Sequence, residues 1–308
     1  MRKFISYAFV AGMVLTASIA SAQDYAFRVL ANKGENQLKK AGSAQAETLK
    51  TGAKLNSGDE IIASEGAYIG LMHKTGKTTE IRGAGTKKIS DIEKNISTAS
   101  TSIASRYATF VMNKMNEDEN TDYRARLNAT GAVSRATGSA AINVMAPSQA
   151  DLLGSTAILR WDAPEDWKAG DLYVVKIENI FNEEIFSKET DKTSVELDFA
   201  DEKLAYDMGL YLVTIYKKGD EEISSGEIGI KKVKSGDKVE LQESLANLKS
   251  EVSEDSPLNK IIYASFYEEN GLILDALTKY EEAIKMSPDI EDFQELYQNF
   301  LIKNGLAE

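Results

Sequence analysis

The 308-residue chain contains no cysteine, one histidine and four prolines. The missing cysteine excludes a disulfide framework, a thiolate metal site and a cysteine nucleophile. The single histidine leaves only His73 for an imidazole metal centre or a catalytic dyad, whereas zinc takes three or four ligands. No nucleophile–base–orienter set can be assembled from this inventory, so no catalytic residue, cofactor or metal ligand is expected. Beyond the first twenty residues, no run approaches the ~18 consecutive apolar residues of a membrane span. Positive charge is also in short supply, with 36 Lys+Arg against 48 Asp+Glu and a net charge of −12. That balance argues against a nucleic-acid partner, because phosphate binding draws on Lys and Arg.

What is present is 43% apolar composition, suited to packed domains rather than disorder. The length suggests two or three domains of roughly 100–150 residues. Charge is unevenly spread. Residues 1–150 carry 19 bases and 13 acids, net +6, and residues 151–308 carry 17 bases and 35 acids, net −18. A basic front and an acidic back suggest separate surfaces.

Arg2 and Lys3 precede an uncharged, mostly apolar run from Phe4 to Ala20, and Ala20-Ser21-Ala22 follows as a small-x-small cleavage site. This pattern predicts a signal peptide (1–22) cleaved after Ala22, and hence an exported, periplasmic chain that is not membrane-spanning after cleavage. No cysteine near that site offers a lipid anchor.

Residues 23–95 show short strands punctuated by glycine turns. Phe27–Leu30, Glu60–Ala63, Tyr68–Met72 and Thr78–Ile81 are the strand candidates, and a small β-sandwich or barrel is expected. The stretch Leu49…Gly52…Leu55…Gly58-Asp59-Glu60-Ile61, then Tyr68-Ile69-Gly70-Leu71, Gly76-Lys77-Thr78 and Gly83…Gly85 resembles the FecR domain family. That resemblance implies a periplasmic β module of the kind found in sigma-factor signalling. The signalling members carry a cytoplasmic segment and a membrane helix before the domain. This chain has a cleavable signal there, so the signalling role is not carried over.

Three features in this half mimic functional motifs. Gly70 to Thr78 comes close to a phosphate-binding loop, but five residues rather than four precede the Gly-Lys pair and strands flank both sides, so a β-turn is expected. Asp118-Glu119-Asn120-Thr121-Asp122 opens like a calcium loop, but its sixth position is Tyr123 and its twelfth Ala129, so it reads as an acidic linker. His73 reads as structural.

Residues 96–139 read as an amphipathic helix and a linker. Ile103, Tyr107, Phe110, Val111 and Met115 form one helical stripe, expected to cap the open face of the first domain. Residues 140–233 alternate in strands over 156–161, 172–180, 184–187, 194–198, 210–216 and 223–230. Ile158…Trp161-Asp162, Tyr173–Ile177 and the Gly209–Ile215 run resemble a fibronectin type III or immunoglobulin-like sandwich. The resemblance places Trp161 and Tyr211 in its core. Trp167, the one aromatic that could meet a sugar, reads as packing.

Residues 234–308 are helical. Ala264, Tyr267, Ala276, Tyr280, Ala283 and Pro288 fall at offsets of 3, 12, 16, 19 and 24 from the first. They match the small, aromatic, small, aromatic, small and Pro positions of the tetratricopeptide repeat. One complete repeat, about 257–290, is expected, with flanking helices as caps. Three units usually make a stable solenoid, so a single repeat must lean on caps, neighbours or a partner. Such grooves bind peptides, and Glu268, Glu269, Asp275, Glu281 and Glu282 predict an acidic surface for a basic partner segment.

The fold class expected is therefore multidomain α+β: a small β-sandwich or barrel, a linking helix, an immunoglobulin-like β-sandwich and C-terminal tetratricopeptide-like hairpins. These resemblances, with Gln23 at the new N-terminus, point to a Bacteroidota-type cell-envelope protein. The expected role is non-enzymatic protein binding or scaffolding among envelope proteins. Cell-wall glycan or carbohydrate binding and a FecR-derived regulatory sensor are the alternatives.

Overall fold

Alternation of apolar and polar residues builds the first half of the chain into strands, and 3.6-residue periodicity builds the last quarter into helices. The computed structural model describes residues 25–96, 102–117, 141–164, 166–204, 209–234 and 236–307. The expected signal peptide, most of the linker and the Asp118–Asp122 motif lie outside them. The protein is mixed α+β, with sheets in its N-terminal and central parts and helices towards the C-terminus.

Eight strands form the first unit: β1 (Phe27–Lys33), β2 (Gln37–Lys39), β3 (Ala46–Thr48), β4 (Lys54–Leu55), β5 (Glu60–Ala63), β6 (Tyr68–His73), β7 (Thr78–Arg82) and β8 (Gly85–Lys88). They pair as two four-stranded sheets, β4-β1-β6-β7 and β3-β2-β5-β8. Phe27, Val29, Leu38, Leu55, Ile61, Ile69 and Leu71 fill the space between them. A six-residue helix, α1 (Ile89–Lys94), follows.

Strand β6 is buried along its whole length. Side chains alternate across a strand, so Ile69 and Leu71 enter the sandwich while Tyr68 and Met72 enter a second core shared with the helices. A bulge between Val29 and Ala31 of β1 inserts Leu30 into that second core. Between Tyr68 and Met72 stands Gly70. A Cβ there would lie 3.1 Å from Leu258 Cδ2, so the glycine admits the helix close to the sheet.

The central unit holds β9 (Asn143–Val144), β10 (Gln149–Leu152), β11 (Thr156–Asp162), β12 (Tyr173–Glu178), β13 (Glu184–Thr190), β14 (Ser194–Asp198), β15 (Leu210–Lys217), β16 (Asp220–Ser224) and β17 (Ile228–Lys232). The sheets run β14-β11-β9 and β10-β17-β15-β12-β13, with β16 paired to β15 and β10 parallel to β17. Trp161 of the first sheet meets Tyr173 of the second edge-to-face at 5.2 Å. The Tyr211 hydroxyl on β15 donates to the Leu204 carbonyl at 2.8 Å, tying the connection before β15 back onto the strand.

Among the described residues, five helices close the molecule. They are α2 (Ser102–Glu117), α3 (Val239–Glu251), α4 (Pro257–Glu269), α5 (Ile273–Met286) and α6 (Glu291–Lys303). Ser256 caps α4 by accepting from Asn259 N–H, with Pro257 at the first position. Gly271, at φ +72°, turns the chain into α5.

The expectation that α2 caps the open face of the first sandwich is corrected. Its buried stripe is Ala104, Tyr107, Ala108, Val111 and Met112, packed on α3 and α4. Tyr107 meets Phe266 edge-to-face at 5.1 Å. The seam is turned towards small residues, because Ala104 and Ala108 allow close helix approach, and Ile103 and Phe110 are only half-buried. The start of α2 abuts the sandwich, where Gly76 lies against Ser105.

Candidate functional site

The six repeat positions sit on the α4–α5 hairpin and the turn after it. Ala264, Tyr267, Ala276, Tyr280 and Ala283 are buried, and Pro288 is exposed beyond the end of α5. Small side chains let the two helices close, and the tyrosines fill what remains. Tyr280 packs on Phe300 of α6 at 5.1 Å.

Helix α5 presents Asp275, Thr278 and Glu281 at three-residue intervals, hence on one stripe. That stripe faces the central sandwich. Asp275 accepts from Leu153 N–H at 2.9 Å and Gly154 N–H at 2.6 Å. Burial pushes its carboxyl up to about 6, against the opposing pull of those two N–H groups and of Lys232 and Lys279. Gly154 sits so close that a Cβ would fall 2.8 Å from Asp275 Oδ1.

One turn on, the Thr278 hydroxyl accepts from Ile158 N–H at 3.0 Å, closing the part of the β11 edge that the two-residue β9 does not reach. Glu281 then takes a bidentate pair from Arg160, Nε and Nη2 both at 2.6 Å, and the Tyr297 hydroxyl at 2.6 Å. The Glu281 bond holds the Arg160 guanidinium above its ordinary range.

The other predicted acids are also spent within the chain. Glu268 is buried and takes Lys114 Nζ at 2.5 and 2.6 Å, with Lys303 and the Tyr280 hydroxyl at 3.2 Å. Glu269 pairs with Arg106 at 2.6 Å. Glu282 pairs with Lys260 and Lys279, which also hold Glu254. Burial opposes ionisation of Glu254, and the two lysines overcome it, drawing its carboxyl down to about 2.

The expected acidic groove for a basic segment is therefore corrected. Glu268, Glu269, Asp275, Glu281 and Glu282 do not line one open surface; they fasten α4 and α5 to α2, to the β units and to each other. Burial supplies the reason at Glu268, Asp275 and Glu281, where an unpaired carboxylate would be costly. The sequence could have flagged the pairing only through the abundance of lysines nearby, because the partners lie 154 and 163 residues away for Glu268 and Glu269.

The helical part is fastened to the first sandwich too. Asp292 accepts from Asn32 N–H at 2.9 Å and from the Thr51 hydroxyl at 3.1 Å, Lys33 pairs with Asp289, and Tyr68 meets Phe293 edge-to-face at 5.9 Å. One buried cluster runs from the outer face of the first sandwich through the helices into the central sandwich.

His73 is buried in the first sandwich. Its Nδ1 shares a hydrogen bond with the Thr75 hydroxyl at 2.8 Å, its ring meets Phe27 edge-to-face, and its Nε2 lies 3.6 Å from Glu93. Glu93 in turn takes the Ser57 hydroxyl. The carboxylate stands between serine and imidazole, which is the wrong order for a nucleophile–base pair. The Lys74–Lys77 stretch is a hairpin turn with Gly76 at φ +89°. Trp167 lies flat on Tyr173 at 3.8 Å, and Lys217 Nζ sits 5.3 Å above the ring. The indole is half-buried, with the Tyr173 ring against one face.

Exposed apolar side chains gather at the β12–β13 turn, where Phe181 is 66% exposed beside Ile180. Asn179, buried beneath them, accepts from the N–H groups of Phe181 and Glu183 and fixes the turn. No helix among the described residues is long and apolar enough to cross a membrane. No protein-family model matches the chain, and no characterised protein matches it closely enough to count as a relative.

Proposed function

We propose that this chain is a non-enzymatic interaction or scaffold protein of the bacterial cell envelope, exported through its N-terminal signal and resident in the periplasm. In this reading the first unit is a FecR-like sandwich, the central one an immunoglobulin- or fibronectin-like sandwich, and the helices a tetratricopeptide-like module. The Tyr211–Leu204 bond supports the second assignment, since such a tyrosine corner recurs in that architecture. The buried small and aromatic positions of α4 and α5 support the third.

The observation that carries the functional reading is the locking of the helical repeat between two β units by one continuous core and by the Asp275, Thr278 and Glu281 stripe. A single repeat is stabilised here by its neighbours rather than by a stack of copies. The result is a rigid body with fixed outer surfaces, which suits a platform for envelope proteins. Glycan recognition and a FecR-derived sensor role have no comparable support. Trp167 is half-buried and stacks one face on Tyr173.

The test is affinity capture from envelope extracts with the mature chain as bait, followed by identification and reconstitution with the purified partner. A reconstituted stoichiometric complex supports the reading. Sedimentation with purified peptidoglycan and no protein partner overturns it.

A further inference from the structure

Many cations of this chain meet one of its own carboxylates: Lys33 with Asp289, Arg106 with Glu269, Lys217 with Asp171, Lys238 with Asp151. Lys188 and Lys192 do not. Neither has an ion pair among the described residues, and both are exposed. They stand on a cleft of about 500 Å³ between β13, β14 and the C-terminal half of α5.

Two further cations border it. Arg160 rises from β11, already turned by Glu281, and Lys285 lies in the last turn of α5, exposed and 3.5 Å from the exposed Glu196. The cleft thus holds four cations against Glu196 and Glu281, on a chain whose formal charge is −12. A local excess of positive charge on an acidic protein focuses attraction for an anionic ligand.

Between the cations the floor is aliphatic at Ile158 and Ile284, while Val195 borders the cleft with its side chain turned into the sandwich core beside Leu159. No aromatic ring lines it. Sugars present apolar faces that stack on aromatic rings, whereas an aliphatic floor flanked by ammonium groups suits an apolar side chain between carboxylates.

We propose that this cleft binds an extended acidic peptide segment of a partner protein, its carboxylates on Lys188, Lys192 and Lys285 and one apolar side chain on Ile158 and Ile284. The partner is opposite in sign to the one that the acid-rich sequence suggests, because the five acids behind that expectation are engaged within the chain, whereas Lys188 and Lys192 in this cleft are not. This assignment rests on the reading of the chain as an interaction protein, and it specifies the surface and the charge.

The experiment is fluorescence anisotropy on the full mature chain with labelled ten-residue Glu-Leu, Gln-Leu and Lys-Leu repeat peptides, and with oligogalacturonate as an acidic glycan. The Glu-Leu peptide binds, the Gln-Leu and Lys-Leu peptides do not, and added salt weakens binding. Lys188→Glu/Lys192→Glu lowers its affinity about tenfold or more. Lys50→Glu/Lys87→Glu, the same charge change at exposed sites on the first sandwich, leaves it within about twofold. No binding by the Glu-Leu peptide, equal binding by the Lys188→Glu/Lys192→Glu chain, or binding of oligogalacturonate alone overturns the proposal. A separate result distinguishes this failure from that of the wider reading. If the Lys188→Glu/Lys192→Glu chain still forms the reconstituted partner complex, the cleft assignment falls and the interaction reading stands.

Discussion

Asp275 offers a direct measure of the docking between helices and central sandwich. Its folded pKa, about 6, exceeds the ordinary value of 3.8. A carboxyl raised in this way contributes stability that is fully present below the unfolded pKa and lost as pH rises through the folded one. The window is therefore pH 3.8 to 6. The full difference is about 3 kcal/mol, and about 2 kcal/mol of it falls between pH 4.5 and 7. Asp275→Asn cannot titrate. Its amide offers one acceptor to two N–H groups, which lowers stability by a pH-independent offset and leaves the slope informative. Urea denaturation of both chains at several pH values between 4.5 and 7 gives the comparison. The stability of the wild type relative to the variant should fall by about 2 kcal/mol across the range. Glu254 titrates near pH 2, below the window, and the raised Asp292 is common to both proteins and cancels. Parallel stability curves for the two chains would refute a buried, ionising Asp275.

Two further outcomes follow from close contacts. Gly76→Ala should destabilise the chain by about 2 kcal/mol or more, because Gly76 has φ +89° and a Cβ would lie 2.5 to 2.7 Å from Ser105, much of it backbone; an unchanged thermal midpoint would contradict that contact between hairpin and α2. Tyr211→Phe should cost about 1–3 kcal/mol by leaving the Leu204 carbonyl unmatched, read by urea denaturation, while keeping the ring's packing on Phe199.

The helices were the most legible part of the sequence. Residues 234–308 were expected to be helical and hold α3 to α6, and the hairpin expected at about 257–290 spans α4 and α5, because periodicity and caps such as Ser256-Pro257 are local chemistry. In the central unit, the 194–198 strand matched β14 and the 223–230 run proved to be two strands, β16 and β17, broken at Ser225, whose side chain accepts from Ile215 N–H. Strands β2, β3 and β8 were not foreseen. They are three or four residues long and largely polar, and the pairing that makes them strands comes from elsewhere in the chain. The same limit hid the fate of the acids. Composition showed that Glu268, Asp275 and Glu281 were present, but only tertiary contacts show that Lys114, the Leu153–Gly154 turn and Arg160 had claimed them. Lys188 and Lys192 looked like any exposed lysines, since being unpaired is a property of the assembled fold.

The bond from Asn32 N–H to Asp292 spans 260 residues, and it sets the order in which the molecule can be finished. The first sandwich can close around Ile69 and Leu71 by itself. Its reverse face, with Leu30, Tyr68 and Met72, stays bare until α4 and α6 arrive. Contacts of such long sequence separation slow folding and prolong the exposure of apolar surface. A chain stopped before residue 291 would lose Phe293 against Tyr68 and the Asp292 clasp, and would be left with a sticky flank on an otherwise completed N-terminal sandwich.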